Sequence, residues 1–502
     1  MTLAALMITI AMMAAFHFRA DRWGVFARDF QWFHEHILLN KLYLKTRFLI
    51  DDQHEYTCYV FGSSRVAALD ARHVGDNCYN FTHSGGVLSD HLRAVKQLLA
   101  AGLPVSKVYI AFDDLSYNVD PDTSNQQHMR RPYPDNYLEM AGFLSLFLLK
   151  PIDFTDLSLV SGRNPKLEIP RFIRNPDLDT DRIRQKYQKF YDNPKNTDIR
   201  FRRLRGLPEG TSYFGETAVS ALMELKTLSE QHEFALRGFF LPLHYKTYLS
   251  RNYPWYLKFK SSIAKVMPFQ DFTGLNRFTT DNRYWRETSH FSATVGDQLI
   301  SILLSEPSVL NEGFGRQVDM NNIESLEREQ LDMDIEFMPM LAKREGMMPI
   351  PQRLMNRWEE REMLKLVSMR PHSGKGQMAI HKNAKITIRR AVGQENPPRS
   401  GAASAALQAG DYFVIEYELE SRRRRMLSVR LSHDQDLYEG KYGEFNAQIK
   451  PGKNTGTLLA YASVDSPSIR VRIGGGDADI KWQALKTYKI DYENQTGSTH
   501  GG

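Results

Sequence analysis

The sequence predicts an α/β fold built on a parallel sheet, followed by a separate antiparallel β-sandwich of jelly-roll type. Three observations carry this. Between residues 55 and 305, short apolar runs alternate with amphipathic helical stretches, the rhythm of βαβ units. From about Ile380, the texture changes to period-two alternation of apolar and polar residues, broken by Gly and Asp turns. At 502 residues the chain is also long enough for two or three domains.

The chain opens with an almost wholly apolar stretch, Thr2 to Phe18, expected to be a membrane anchor or signal segment within residues 1–22. Arg19 and Arg22 follow it, and by the positive-inside rule they would leave the bulk of the protein in the cytoplasm. A missing upstream segment would reverse that orientation. Residues 23–54, aromatic and basic, read as a helical membrane-proximal connector. Strand one spans Glu55 to Phe61 and ends in Gly62-Ser63-Ser64, with Arg65 to Leu69 as the first turns of a helix. Strand two spans Asn77 to Thr82, a helix runs from Leu88 to Ala101, and strand three covers Val105 to Phe112.

An insertion from Leu115 to Phe214 follows, with many Arg and Lys residues between Arg163 and Arg205. It is expected to be a solvated surface rather than a specific anionic site. The alternation resumes with a helix from Glu216 to Gln231 and strand four from Phe234 to Leu241. A helix from Trp255 to Val266, a short strand near Phe269 to Phe272 and a closing helix from Ser292 to Leu304 complete it. Residues 306–377 read as a helical linker without clean strands. The sandwich occupies 378–492, with strands at Tyr412–Leu419, Met426–Leu431, Phe445–Ile449, Thr457–Ser463, Ile469–Ile473 and Ile480–Ile490. Arg422 to Arg425 is expected in a turn or at an exposed edge. Residues 493–502 read as a disordered tail.

The formal net charge of +6 and pI near 9.0 select no partner class. No zinc-ligand spacing, phosphate-binding glycine motif or nucleic-acid signature occurs, so no metal, cofactor or nucleic acid is expected. The two cysteines, Cys58 and Cys78, are too few for a disulfide framework and are expected to be buried free thiols.

Chemistry concentrates after strand one. A serine at the carboxyl end of a sheet strand sits where open α/β sheets bind ligands. Capping of the following helix is the commoner duty of such a serine. Nucleophilic chemistry also needs a histidine to take the serine proton and a carboxylate to orient that histidine. Glu287 and His290, three residues apart before the closing helix, supply that pair. The loop before the last helix can lie over the ends of the first strands, near Ser64. His244, at the end of strand four, is a rival histidine without an adjacent acid and a candidate for binding substrate. Arg65 could pair with Asp113 or Asp114, or hold an anionic substrate group.

Four segments together resemble the successive blocks of the SGNH (GDSL-like) hydrolases: Gly62-Ser63-Ser64, Asn80 to Gly85, Ala111-Phe112-Asp113-Asp114 and Glu287-x-x-His290. The Gly-Ser-Ser-Arg form is similar to bacterial envelope proteins related to the alginate O-acetylation and D-alanine transfer factors. The resemblance implies a flavodoxin-like three-layer fold, Ser64 as nucleophile, His290 as base, and an oxyanion hole from Gly85 and the Ser64 N–H. It also implies a catalytic domain on the periplasmic face of the inner membrane. Three departures stand out. Glu287 replaces an Asp, Ala111 a Gly, and Asp113 an Asn whose amide stabilises the oxyanion. An ionised Asp113 would repel that oxyanion, so Asp113 is expected to be protonated by burial or to have another role.

The function expected is O-acyl transfer or ester hydrolysis on an envelope or extracellular polysaccharide, with the acyl group arriving from a membrane-bound acyltransferase partner. The sandwich would bind carbohydrate on aromatics such as Trp482 or Tyr461. The alternative is an inactive SGNH-like assembly or binding protein in an envelope polysaccharide or secretion complex.

Overall fold

The computed structural model describes residues 2–21, 23, 25–26, 39–52, 56–75, 77–122, 130–150, 152, 180–181, 183–185, 188, 201, 212–304, 314–360, 370–371, 377–380, 384–387, 401–404, 412–433, 444–461, 467–473 and 480–490. They divide into two compact units, 1–326 and 327–502. Most of the basic run and the C-terminal tail lie outside the described residues.

In the first unit the order is α1 (Thr2–Ala20), α2 (Lys41–Asp52), β1 (Cys58–Phe61), β2 (Cys78–Asn80), α3 (Leu88–Ala100), β3 (Lys107–Phe112), α4 (Leu115–Asn118) and α5 (Tyr137–Leu148). There follow α6 (Gly215–Gln231), β4 (Ala235–Phe240), α7 (Tyr245–Ser250), α8 (Tyr253–Val266), β5 (Phe269–Asp271), α9 (Arg277–Thr280), α10 (Ala293–Leu304) and β6 (Arg316–Val318). The six-stranded sheet has the order β2-β1-β3-β4-β5-β6. Its first five strands are parallel and follow the doubly wound order 2-1-3-4-5, which reverses direction between β1 and β3.

Strand alternation builds a core on each face of this sheet. Tyr59, Phe61, Val108, Ile110 and Phe112 pack with α3, α6 and α8 on one side. Val60, Tyr109, Ala111, Phe239 and Leu241 pack with α10 and the turn after β1 on the other. The central strands β1 and β3 are apolar at nearly every position because both faces are covered.

Several expectations are corrected. The turn after β1 is a five-residue 3-10 segment, Ser64–Ala68, not the start of an α-helix. Cys58 and Cys78 form a disulfide, since they are registered neighbours on β1 and β2. The connector, expected to be helical, also joins the core: Leu42, Phe48 and Leu49 of α2 enter it. Buried Lys45 donates to the carbonyls of Asn80 (2.6 Å) and Thr82 (3.0 Å) just beyond β2. Residues 306–377 are not strand-free. Arg316–Val318 adds to the first sheet as β6, antiparallel to β5, so the first unit runs past residue 305. Met347–Pro349 forms β7, which pairs in the second unit.

Among the described residues no helix is long and apolar enough to cross a membrane. Helix α1 is nevertheless almost wholly apolar from Thr2 to Phe16 and carries mostly exposed side chains.

The second unit is dominated by two four-stranded sheets, both antiparallel. One long strand, Tyr412–Ser421, is the axis of its sheet, between Gly452–Tyr461 and Ile480–Ile490. Tyr417, Leu419 and Ser421 are buried, while Glu416, Glu418 and Glu420 are not, the alternation of a half-covered strand. Arg422 and Arg423 form the exposed bend before the next strand. Tyr461 is half-buried against the Tyr412 ring, at 5.0 Å; the Trp482 side chain lies outside the described residues.

Candidate active site

The reversal point between β1 and β3 brings Gly62-Ser63-Ser64 beside Asp113-Asp114 at the carboxyl edge of the sheet. Gly62 is required by packing. A Cβ there would lie 2.7 Å from Val66 Cγ2 and 3.0 Å from the Ala111 methyl. The same contact explains why residue 111 is small.

The two serines divide the roles the sequence left open between them. Ser63 caps the 3-10 turn by accepting from the Arg65 N–H and donates to Asp113 Oδ2 at 2.6 Å. Ser64 points the other way, its Oγ 3.1 Å from His290 Nε2. On the far side of that ring, His290 Nδ1 hydrogen-bonds Glu287 Oε1. Because a carboxylate only accepts, Nδ1 carries the proton and Nε2 is left to accept from the Ser64 hydroxyl.

The loop bearing this pair is braced. Arg286 N–H donates to the His290 carbonyl (2.9 Å), and Ser289 N–H donates to Glu287 Oε2 (3.1 Å). Trp285 bridges Phe291, and its indole N–H donates to the Phe278 carbonyl (2.8 Å). Gly296 lets α10 approach closely enough that a Cβ would sit 3.3 Å from the Ala68 carbonyl. That approach seats the loop over Ser64. Burial raises the cost of charge on Glu287, but the His290 hydrogen bond, then Arg286 and Arg65, hold its carboxyl below the ordinary range.

Gly85 lies in the turn after β2 with φ +65°, a conformation that favours glycine. The neighbouring Gly86 passes close to β1, where a Cβ would lie 2.9 Å from the Gly62 carbonyl. The His83 N–H also donates to that carbonyl at 3.3 Å. Behind the turn, Asp90 Oδ2 receives His83 Nε2 (3.3 Å), Arg130 Nε (2.9 Å) and the Val87 N–H (3.3 Å). Burial opposes the Asp90 charge, while His83 and Arg130 hold its carboxyl low. Sequence reasoning missed this support, whose members are scattered over 83, 90 and 130.

Asp113 is buried, and both oxygens are occupied. Oδ1 accepts from the Leu115 and Ser116 N–H groups (2.9 and 3.3 Å), and Oδ2 accepts from Ser63. Arg65 Nη1 stands 3.5 Å from Oδ2 and hydrogen-bonds Asp114. Burial pushes the Asp113 carboxyl up, while Arg65 and the Ser63 and Leu115 donors pull it down. Its environment is therefore mostly donors, and it approaches the site through Ser63 and Arg65. The upward push by burial is the one expected from the sequence, and the hydrogen bonds of Asp113 run to Ser63, Leu115 and Ser116. Arg65 is buried against both aspartates rather than extended as an open anion clamp.

His244 is not on the site surface. It has no exposed area, accepts from the Lys246 N–H at Nδ1 (3.3 Å) and donates through Nε2 to Asn282 Oδ1 (2.9 Å). Its ring stacks on Phe201 at 5.0 Å and meets Trp285 at 5.4 Å. Its place is behind the Glu287 loop, so the binding role expected for it is replaced by a packing one.

A scan against family models and a search of curated proteins give no match. Solved structures give distant likenesses. The bacteriophage CBA120 tailspike protein 4 enzymatically active domain is 15% identical, over 19% of this chain and 15% of that one, with a TM-score of 0.15. A carbohydrate-binding module (CBM6cm-2) from Cellvibrio mixtus lichenase 5A is 11% identical over 26% of this chain and 94% of its own, with a TM-score of 0.15. A two-domain esterase (CEX) active on acetylated mannans is 9% identical over 90% of this chain and 95% of its own, with a TM-score of 0.24. These superpositions are loose, and the chemistry of the site rests on its own geometry.

Proposed function

We propose that the chain is an SGNH-type serine O-acyltransferase or esterase acting on a cell-envelope or extracellular polysaccharide. The observation that carries this is the relay Ser64 Oγ to His290 Nε2 at 3.1 Å, with Glu287 on His290 Nδ1. Ser64 Oγ attacks the acyl carbonyl as its proton passes to His290 Nε2, and Glu287 stabilises the imidazolium. The oxyanion is met by the Ser64 and Gly85 N–H groups. Collapse expels the alcohol, which takes the proton back from His290, and leaves an ester on Ser64. Water then gives hydrolysis, whereas a sugar hydroxyl gives transfer to a new acceptor. The acyl group would come from a membrane-bound acyltransferase partner, and the second unit would hold the polymer.

The test is labelling with a fluorophosphonate, which requires an activated serine, beside turnover of an acetyl ester. Ser64→Ala should abolish both, while Ser63→Ala should retain substantial turnover. Full turnover by Ser64→Ala would make the nucleophile assignment wrong. Asp113, in the place of an oxyanion-binding Asn, favours the second reading, an inactive binding or assembly protein. In that case wild type takes no label.

The compartment belongs to the same proposal: α1 anchors the chain in the inner membrane, with the rest on the periplasmic face. The Cys58–Cys78 disulfide supports it, because such bonds persist in oxidising compartments. Alkaline phosphatase fused to the C terminus should be active, and a silent fusion would remove the envelope polysaccharide as substrate.

A further inference from the structure

Among the described residues, exposed large apolar side chains are concentrated. Six belong to α1, four to α5 and the residues just after it, and four are scattered elsewhere. Tyr137 and Leu138 are 96% and 84% exposed. Helix α5 reads YLEMAGFLSLFL, apolar around almost its whole circumference. Its one charge, Glu139, is held by Arg93 of α3 at 2.6 Å. Phe143 and Phe147 alone are fully buried, Phe143 stacked on Tyr43 at 4.3 Å. Leu144 and Leu146 pack partly against the same cluster, whereas Tyr137, Leu138 and Ala141 stay exposed.

The two apolar helices meet. His17 Nε2 hydrogen-bonds the Lys150 carbonyl at 2.7 Å, and the Trp23 and Phe147 rings are 5.3 Å apart. Lys150 Nζ lies 4.9 Å from the Trp23 ring centre. A helix apolar all round is buried in protein or lies in lipid, and only one side of α5 is packed against protein.

We infer that α5 lies in the bilayer interface beside α1, so that the insertion fixes one face of the catalytic unit to the lipid surface. This rests on the reading of α1 as an anchor. Lipid suits this surface better than a protein does. The patch is continuous, at its Lys150 end, with a helix that carries no charge before Arg19.

The experiment uses the full chain, with Cys58–Cys78 left oxidised and an environment-sensitive fluorophore on Leu138→Cys, Leu6→Cys or Met223→Cys. The chain is reconstituted into phosphatidylcholine–phosphatidylglycerol vesicles containing lipid spin-labelled in its acyl chains. Labels at 138 and 6 should shift to the blue and lose emission several-fold, whereas the label at 223, exposed on α6, should not. Quenching at 6 without quenching at 138 overturns the inference and leaves the anchor standing. Absence of quenching at both overturns the anchor as well. A blue shift at 138 without quenching means that protein covers α5, and equal quenching at 223 means indiscriminate adsorption; either result overturns the proposal.

Discussion

Ser63 and Ser64 are adjacent hydroxyls whose side chains leave the turn in opposite directions. Ser63 ties the end of β1 to Asp113, and Ser64 meets His290. A proton on Asp113 would find one acceptor, Ser63, whereas the ionised form satisfies two backbone N–H groups, a hydroxyl and a guanidinium. Asp113→Asn should therefore lower acetyl-ester turnover roughly tenfold, about 1.4 kcal/mol, by loosening the tether beneath Ser64. Its raised carboxyl ionises above the ordinary 3.8. Wild type should thus gain turnover as pH rises through that ionisation, and the Asn variant should lack this limb. A tenfold gain in Asp113→Asn at neutral pH would instead mean that the carboxylate repels the oxyanion.

At the scale of elements, β6 is held by charge more than by apolar pattern. Arg316 stands opposite Asp271 in the β5–β6 register, and Lys260 Nζ lies 2.5 Å from Asp271 Oδ2. Burial penalises the Asp271 charge, but Lys260 and then Arg316 hold the carboxyl below its usual value. Asp271→Ala should cost about 3–5 kcal/mol, because two buried cations lose their anion. With a depressed native pKa, this contribution is present above the unfolded value of 3.8 and is lost as pH falls through the native one. Denaturant midpoints of wild type and Asp271→Ala should thus converge in acid and separate at neutral pH. An unchanged midpoint at neutral pH would remove the trio from the stability of this edge.

For the whole molecule, Ser64, Glu287, His290, Gly85 and Asp113 all belong to the unit ending at residue 326. Removing 327–502 should leave turnover of a small acetyl ester essentially unchanged and reduce turnover of an acetylated polysaccharide. Equal loss on both substrates would show that the second unit acts in folding or chemistry rather than in holding the polymer.

The sequence by itself determined the strands that feed the site. Short apolar runs announce themselves, and turn residues mark where each run ends. It also singled out Glu287 and His290, neighbours in sequence, and the Ser63-Ser64 pair after the first strand, of which the family resemblance implied Ser64 as nucleophile. Only the tertiary structure decided what distant residues do together. Cys58 and Cys78 looked like free thiols until parallel pairing set them side by side. Arg316 looked like a linker residue until Asp271 gave its charge a partner across a strand pair. His244 looked available until Asn282 and Phe201 closed around it. In each case local pattern fixed the element, while the partner came from residues far along the chain, whose positions depend on the packing of the sheet and its two cores.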